Sequence, residues 1–260
     1  MDWFIGVFVF IFGIIIGSFL NVCVYRVPLG ISIAKGFSAC PTCGARLTAA
    51  DLVPVLSFAV LRGKCRHCGA RISAMYPLVE AATGLLFALL YIRFGLSFDL
   101  LVYAALASLL IVIALIDFKH MIIPNGLVIA GLVLGAGKLA ASIFTDLFGN
   151  WTIYAIGFAA GALPLLLIAL FCAWILKKEA IGGGDIKLMA FAGFIIGWQL
   201  VIPAYLIGII GGALISVVLM ASGKKKRGDE IPFGPFLCFG ILVSVFFGYD
   251  IIRWYLGLLG

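Results

Sequence analysis

Apolar residues dominate the chain in long unbroken runs, and short polar breaks separate them. Runs long enough for a membrane-spanning helix, which needs about 20 residues, fall near 3–23, 77–93, 97–116, 122–144, 151–176, 186–198, 200–221 and 235–256. The pattern predicts an all-α polytopic membrane protein of about eight transmembrane helices. One long polar excursion, 26–76, lies between the first two runs, and the other breaks are short. Three parts follow: a first transmembrane helix at 1–25, an insert at 26–76 and a core of about seven helices at 77–260. One stretch is tight. Residues 186–222 must cross twice, yet 37 helical residues extend only ~55 Å against two crossings of ~30 Å. The helix after Asp185 should therefore be short, with the bilayer thinned beside it. A re-entrant segment is the alternative, and it lowers the count to seven.

Composition agrees with the pattern. The 260 residues are 65% hydrophobic and 11% charged, with a mean hydropathy of +1.26. A soluble domain runs at roughly 45–50% apolar, so the bilayer is the solvent of this chain. The net charge of +7 then reports orientation and not a nucleic-acid partner. With the N-terminus outside, only Arg93, Lys138 and Arg253 of the 18 Lys and Arg residues fall at outer ends. All the others, Lys178 and Arg227 among them, fall on the inner side. Trp3, Trp151, Trp198 and Trp254 fall at outer ends, where an interfacial aromatic belt belongs. Residues 1–25 have no basic leader before the apolar run, unlike a cleaved signal peptide, and are read as a retained first span.

The insert contains a near-repeat: CPTCGARLTA at 40–49 and CRHCGARISA at 65–74. Each copy places two thiols two residues apart, followed by a Gly that can adopt positive φ while backbone N–H groups turn toward sulfur. Cys40, Cys43, Cys65 and Cys68 together supply four soft ligands, the donor set of a closed structural zinc site. Two disulfides or free thiols are the other readings. The inner, reducing side of the membrane argues against disulfides. His67 is a possible ligand that four cysteines make unnecessary. So small an insert would draw much of its folding free energy from the metal.

Acidic residues at membrane depth are functional candidates by default, and three stand out: Glu80, Asp117 and Asp185. Asp117 closes the third span in ALIDFKHMIIPN, and Asp185 opens the sixth in IGGGDIKLMAFAG. The topology brings both to the cytoplasmic end of a helix. Two neighbouring carboxylates share a proton, so that one can activate water and the other can protonate a carbonyl oxygen. That suffices for peptide hydrolysis. Asp185 also fits a helix N-cap, and Asp117 also fits an ion pair with Lys119 or His120. The run Gly182, Gly183, Gly184 favours the first reading, because a cap needs no such run and a backbone lying close to an extended substrate does. Helix dipoles separate the pair: Asp117 sits at a negative helix end and Asp185 at a positive one, which predicts Asp117 protonated and Asp185 ionised. A proton-coupled transporter would instead show repeated spans and broken helices near the midplane. A non-catalytic assembly scaffold leaves the paired aspartates unexplained.

These motifs resemble the type IV prepilin peptidase family, the GxGD class of membrane aspartic proteases. The resemblance rests, in order, on GSFLNVCVYRVP at 17–28, the Cys pairs, LRGKCRHCGARIS at 61–73, YPLVEAATG at 76–84, Asp117 with Ile123–Pro124, GGGDIKLMA at 182–190 and PFGPFL at 232–237. The chain departs from the family's usual residues at Met75 and at Leu52-Val53-Pro54. The resemblance implies a bifunctional enzyme of the bacterial inner membrane. Such an enzyme cuts a short basic leader from prepilins or pseudopilins at the cytoplasmic face. It then methylates the new N-terminal amine, usually of Phe, using S-adenosylmethionine. Enzymes of this kind without methyltransferase activity typically lack the cysteine insert. The methyltransferase half comes from the resemblance alone, with Glu80 a candidate contact for the amine or the methyl donor and a structural ion pair the other reading.

Overall fold

The computed structural model describes residues 2–145, 149–177, 182–226 and 231–259. Lys178 and Arg227, counted above on the inner side, lie outside these residues. Among the described residues the elements are helical, apart from two isolated β-bridges in the insert. The chain divides into two compact units, Met1–Leu100 and Leu101–Gly260.

In the first unit α1 (Asp2–Arg26) packs antiparallel on α3 (Met75–Phe94). Small residues make the seam. A Cβ on Gly13 would lie 2.8 Å from Gly84 Cα, and one on Gly17 would lie 2.7 Å from Glu80 Cα. Such close backbone approach is how helices associate where no hydrophobic effect drives them together. Asn21 Nδ2 donates to the Tyr76 carbonyl at 3.1 Å and ties the open ends of the two helices. Between them lies the insert, with a 3-10 turn at Ala49–Leu52 and the short helix α2 (Leu56–Val60). Arg26 fixes the start of the insert by donating to three carbonyls, those of Ser32, Lys35 and Phe37, at 2.9–3.1 Å.

The second unit contains α4 (Phe98–His120, which begins three residues before the unit boundary), α5 (Asn125–Phe144), α6 (Thr152–Leu176), α7 (Gly183–Ile196), α8 (Trp198–Ala221) and α9 (Gly234–Leu259). Among the described residues seven helices, α1, α3 to α6, α8 and α9, are long and apolar enough to cross a membrane. The eighth, α7, has 14 residues, ~21 Å at 1.5 Å per residue. This is the short helix that the length of 186–222 requires. Gly197, at φ +84°, breaks it from α8.

Helix α7 packs on α5, α6, α8 and α9, and Leu188, Met189, Phe191, Ala192 and Ile195 are fully buried. The closest approach is to α6: a Cβ on Gly157 or on Gly193 would lie 2.1 Å from the other's carbonyl oxygen. Phe191 packs on Gly131, and Phe194 packs on Gly135 of α5. Helices α8 and α9 meet antiparallel along Gly208 and Gly240. In this unit Trp151, Trp198 and Trp254, all exposed, stand at one end. The C-terminus of α4 and the N-termini of α5, α7 and α9 stand at the other. Lys138, read from the sequence as an outer-end charge, is buried on α5. Its Nζ lies 3.2 Å from Tyr103 Oη and over the rings of Tyr103 and Tyr154.

Candidate functional site

Helix α4 stops just after Asp117 for a local reason. Met121 takes a left-handed conformation at φ +53° and donates its N–H to the Asp117 carbonyl at 2.9 Å, and Pro124 then bars continuation. The resulting corner, 121–124, is braced by the start of α7. A Cβ on Gly184 would lie 3.1 Å from Ile123 Cβ, and Lys187 Nζ donates to Asn125 Oδ1 at 3.0 Å. These two links join the segment after Asp117 to the turn that carries Asp185. The carboxylates are close enough that the charge of Asp117 acts on Asp185.

Asp117 is buried and makes no ion pair with Lys119 or His120, both of which are exposed. Its Oδ2 accepts a hydrogen bond from the Gly234 N–H, in the first turn of α9, at 3.1 Å. A Cβ at 234 would lie 2.6 Å from that oxygen, so the approach requires glycine. Asp185 is not the N-cap of α7. Gly182 occupies that place, with Asp185 in the first turn and its N–H bonded to the Gly182 carbonyl at 3.1 Å. Its half-buried carboxylate is left for other work. The three glycines differ: Gly184 packs on Ile123, Gly182 lies beside the Asp185 carboxylate, and a Cβ on Gly183 would meet nothing.

The helix-dipole argument is incomplete. Asp117 lies in the last turn of α4, and the N-terminus of α9 also brings a positive helix end to it. Sequence reasoning misses Gly234 as a partner; the available signal is a glycine immediately before proline in PFGPFL, at a helix start. Also near the pair are the buried Cys238 of α9, on which both charges act, and Tyr205 of α8, on which Asp185 acts. The Tyr205 hydroxyl donates to the Gly161 carbonyl.

The other cluster belongs to the insert. The Sγ atoms of Cys40, Cys43, Cys65 and Cys68 all lie within 4.8 Å of one another. The sequence repeat becomes two copies of one turn. Cys40 N–H bonds the Ala45 carbonyl at 2.9 Å, and Cys65 N–H bonds that of Ala70 at 2.8 Å. Gly44 and Gly69, at φ +70° and +71°, bond back to Cys40 and Cys65. Backbone N–H groups of Cys43 and Thr42 pull the Cys40 thiol down to about 6. The Ala70 N–H favours the Cys68 thiolate, but burial and the neighbouring sulfurs push it up to about 11. Four thiolates this close repel one another unless a cation sits among them, so the cluster could hold a metal ion. Glu80 lies apart from it, buried on α3. Its Oε2 accepts the Val55 N–H at 2.7 Å, and Val55 is held at φ +62°, a strained conformation for a β-branched residue.

The family profile described as Type IV leader peptidase family matches residues 104–217, and that described as Bacterial Peptidase A24 N-terminal domain matches 11–94. A Bacillus subtilis protein named prepilin leader peptidase/N-methyltransferase is 38% identical over 95% of this chain and 96% of its own length. The chain belongs to the type IV leader peptidase family. Relatives of the same name from Pseudomonas putida (33% identical, 96% of this chain and 93% of that protein) and Legionella pneumophila (31%, 98% and 96%) also align from end to end. No solved structure matches. The leader-peptidase profile covers both Asp117 and Asp185, and the N-terminal profile covers all four cysteines and Glu80.

Proposed function

We propose that this chain removes the leader peptide from prepilins or pseudopilins at the cytoplasmic face of the bacterial inner membrane, with Asp117 and Asp185 as its catalytic pair. One observation supports the reading: the turn that carries Asp185 packs on the corner that follows Asp117, so two carboxylates from different helices stand at one end of the second unit among glycine backbone. The ionised member takes a proton from water, and the resulting hydroxide attacks the scissile carbonyl carbon. The other member gives its proton to the carbonyl oxygen. Collapse of the tetrahedral intermediate breaks the C–N bond, and a proton from the pair goes to the departing amine. The Gly234 N–H holds the Asp117 carboxylate in place throughout. Gly183 leaves its side of the pair open for an extended backbone.

The name shared by the relatives supports the second half of the proposal, N-methylation of the new terminus with S-adenosylmethionine as donor. For Glu80 we propose a structural task in this chemistry: it holds the insert to α3 by fixing the strained Val55. The four cysteines would hold one zinc, which supplies folding energy to the insert and takes no part in hydrolysis. The membrane orientation, N-terminus outside, follows from the segregation of basic residues. Mass spectrometry of a pilin matured by this protein tests both halves together. Loss of the leader and a gain of one methyl group are expected. An intact leader in the presence of folded, membrane-inserted protein defeats the peptidase reading, and a cleaved but unmethylated terminus defeats the second half.

A further inference from the structure

The insert contains an apolar run too short to span a membrane. Residues 52–61, LVPVLSFAVL, carry no charge and one hydroxyl, that of Ser57. The run includes α2, and its outward side chains are open: Leu56 is 64% exposed and Val60, one turn on, 77%. Leu52 and Val53 are exposed as well, while the half-buried Phe58 lies over Gly63. About 10–14 apolar residues suit a buried core helix or an interfacial segment, and the exposure of Leu56 and Val60 excludes the first. The depth of the run is set by α3. That helix has 20 residues, ~30 Å in length, which equals the ~30 Å hydrocarbon core, so none of it is left to stand in water. Glu80 lies five residues after the start at Met75, ~7.5 Å along the axis, and its Oε2 accepts the Val55 N–H at 2.7 Å. Helical side chains lean toward the N-terminus, which puts Val55 and the start of α2 at the boundary of headgroups and acyl chains. Backbone at that depth must satisfy its polar groups within the protein. The N–H groups of Ser57, Ala59 and Leu61 bond to the carbonyls of Val53, Val55 and Ser57 at 2.9–3.1 Å. Pro54 has no N–H, and that of Val55 is the one Glu80 takes.

Charge points the same way. Seven Lys and Arg residues stand between 26 and 74 against a single acid, Asp51, and Arg66 already pairs with that acid at 2.8 Å. Arg62, Lys64 and Arg71, just beyond the apolar run, are exposed and form no ion pair among the described residues. From this we infer that residues 52–61 are an interfacial anchor. Leu56 and Val60 seat in the acyl boundary of the leaflet on the insert's side, and Arg62, Lys64 and Arg71 bind the anionic phospholipid headgroups of that leaflet. Apolar side chains beside a basic edge are what such segments use to lie in a membrane surface, and an anionic leaflet attracts the basic part. The same charge repels a basic leader, so the substrate is not the occupant. Cys65 follows the run by four residues, so the anchor also holds the four-cysteine cluster at the membrane surface. The inference stands apart from the peptidase reading, and the orientation proposed above serves only to name the leaflet as the inner one.

The test uses the full chain in lipid nanodiscs, with a fluorescent amino acid in place of Val60. Lipids that carry a nitroxide on the acyl chain near the headgroup should quench it, and aqueous iodide should not. Quenching by iodide and not by lipid overturns the seating. Shielding from both quenchers marks a protein partner and overturns it equally. The charge half is read on unlabelled protein by hydrogen exchange of residues 55–61. The wild type should exchange more slowly in nanodiscs containing phosphatidylglycerol than in pure phosphatidylcholine. One basic residue at an anionic surface is worth about fivefold, so Arg62→Gln, Lys64→Gln and Arg71→Gln together should raise exchange by on the order of 100-fold in the anionic lipid and change it little in phosphatidylcholine. Equal exchange of the wild type in the two lipids overturns the headgroup assignment, whether or not the triple variant folds. Neither readout involves leader cleavage, so both remain decisive if the peptidase reading fails.

Discussion

Replacing Gly234 with alanine places a methyl carbon 2.6 Å from Asp117 Oδ2 and 3.1 Å from its Cγ. Ordinary carbon–oxygen contact begins near ~3.3 Å, so the carboxylate must retreat by roughly 0.7 Å, or α9 must move by as much. Either shift lengthens the 3.1 Å bond from the Gly234 N–H, an interaction with a charged group worth ~1.5–3 kcal/mol. A displacement of about 1 Å in a reacting group costs on the order of 100-fold in rate, equivalent to ~2.7 kcal/mol of barrier. The two estimates agree, and the expectation for Gly234→Ala is a fall of about two orders of magnitude in kcat with KM little changed. The assay is leader cleavage by purified protein in nanodiscs, with thermal unfolding measured alongside. Gly211→Ala is the control, since a Cβ there meets nothing. Cleavage by a folded Gly234→Ala protein within threefold of wild type would refute the claim that this backbone contact positions Asp117.

Asp117→Asn and Asp185→Asn should each lower cleavage by ~10²–10⁴ while insertion and helicity persist; substantial turnover by either removes that residue from the pair. Gly183→Ala should raise KM without lowering the unfolding temperature, whereas Gly184→Ala should lower the unfolding temperature by crowding Ile123 at 3.1 Å. The reverse pattern would show that Gly183 does not face substrate. Metal analysis should find about one zinc per chain, and Cys43→Ser should expose residues 40–74 to protease; metal-free protein with a protected insert defeats the zinc reading. Hydrogen bonds from Thr48 and then Arg66 hold Asp51 down to about 2, below the ~3.9 of an unfolded aspartate. Because this pKa is depressed on folding, its contribution is complete above about pH 4 and is lost as pH falls through about 2. The protease resistance of wild type relative to Asp51→Asn should shrink over that window, and a difference that persists unchanged at pH 2 would contradict it.

Much of the architecture was legible because the bilayer leaves few choices. An apolar run must satisfy its own backbone polar groups and so becomes a helix. Even the shortness of α7 followed from the length of 186–222. The cysteine repeat was legible because a Cys-x-x-Cys-Gly turn is local, and each copy closes on itself within six residues. What could not be read depends on helices meeting from far along the chain. The α9 backbone reaches Asp117 across a sequence separation of 117, and the dipole argument considered only the helix that carries each aspartate. Glu80 reads either as a contact for the amine or methyl donor or as a member of a structural ion pair, and nothing in YPLVEAATG reveals the Val55 N–H, 25 residues earlier, whose hydrogen bond it accepts. Lys138 reads as an outer-end charge, and its own helix does not reveal that it is buried beneath Tyr103 and Tyr154.

A common device underlies the placement of both aspartates. Asp185 rides on α7, whose position is set where Gly157 and Gly161 of α6 approach the backbone of Gly193 and Met189; a Cβ on Gly157 or Gly161 would lie 2.1 or 2.0 Å from a carbonyl oxygen. Asp117 is set by the N–H of Gly234. Neither depends on a long side chain reaching across the interior, so neither pays the conformational entropy of holding one still. Backbone is also the stiffer reference: a helix shifted by half an ångström disturbs all its packing, whereas a rotamer can adjust alone. On the proposed reading, two carboxylates that share one proton gain from that stiffness, because their coupling varies with separation. The same logic explains the brevity of α7. Fourteen residues suffice to be gripped on every side by α5, α6, α8 and α9, and a longer helix would carry Asp185 past the end of α4 where Asp117 waits.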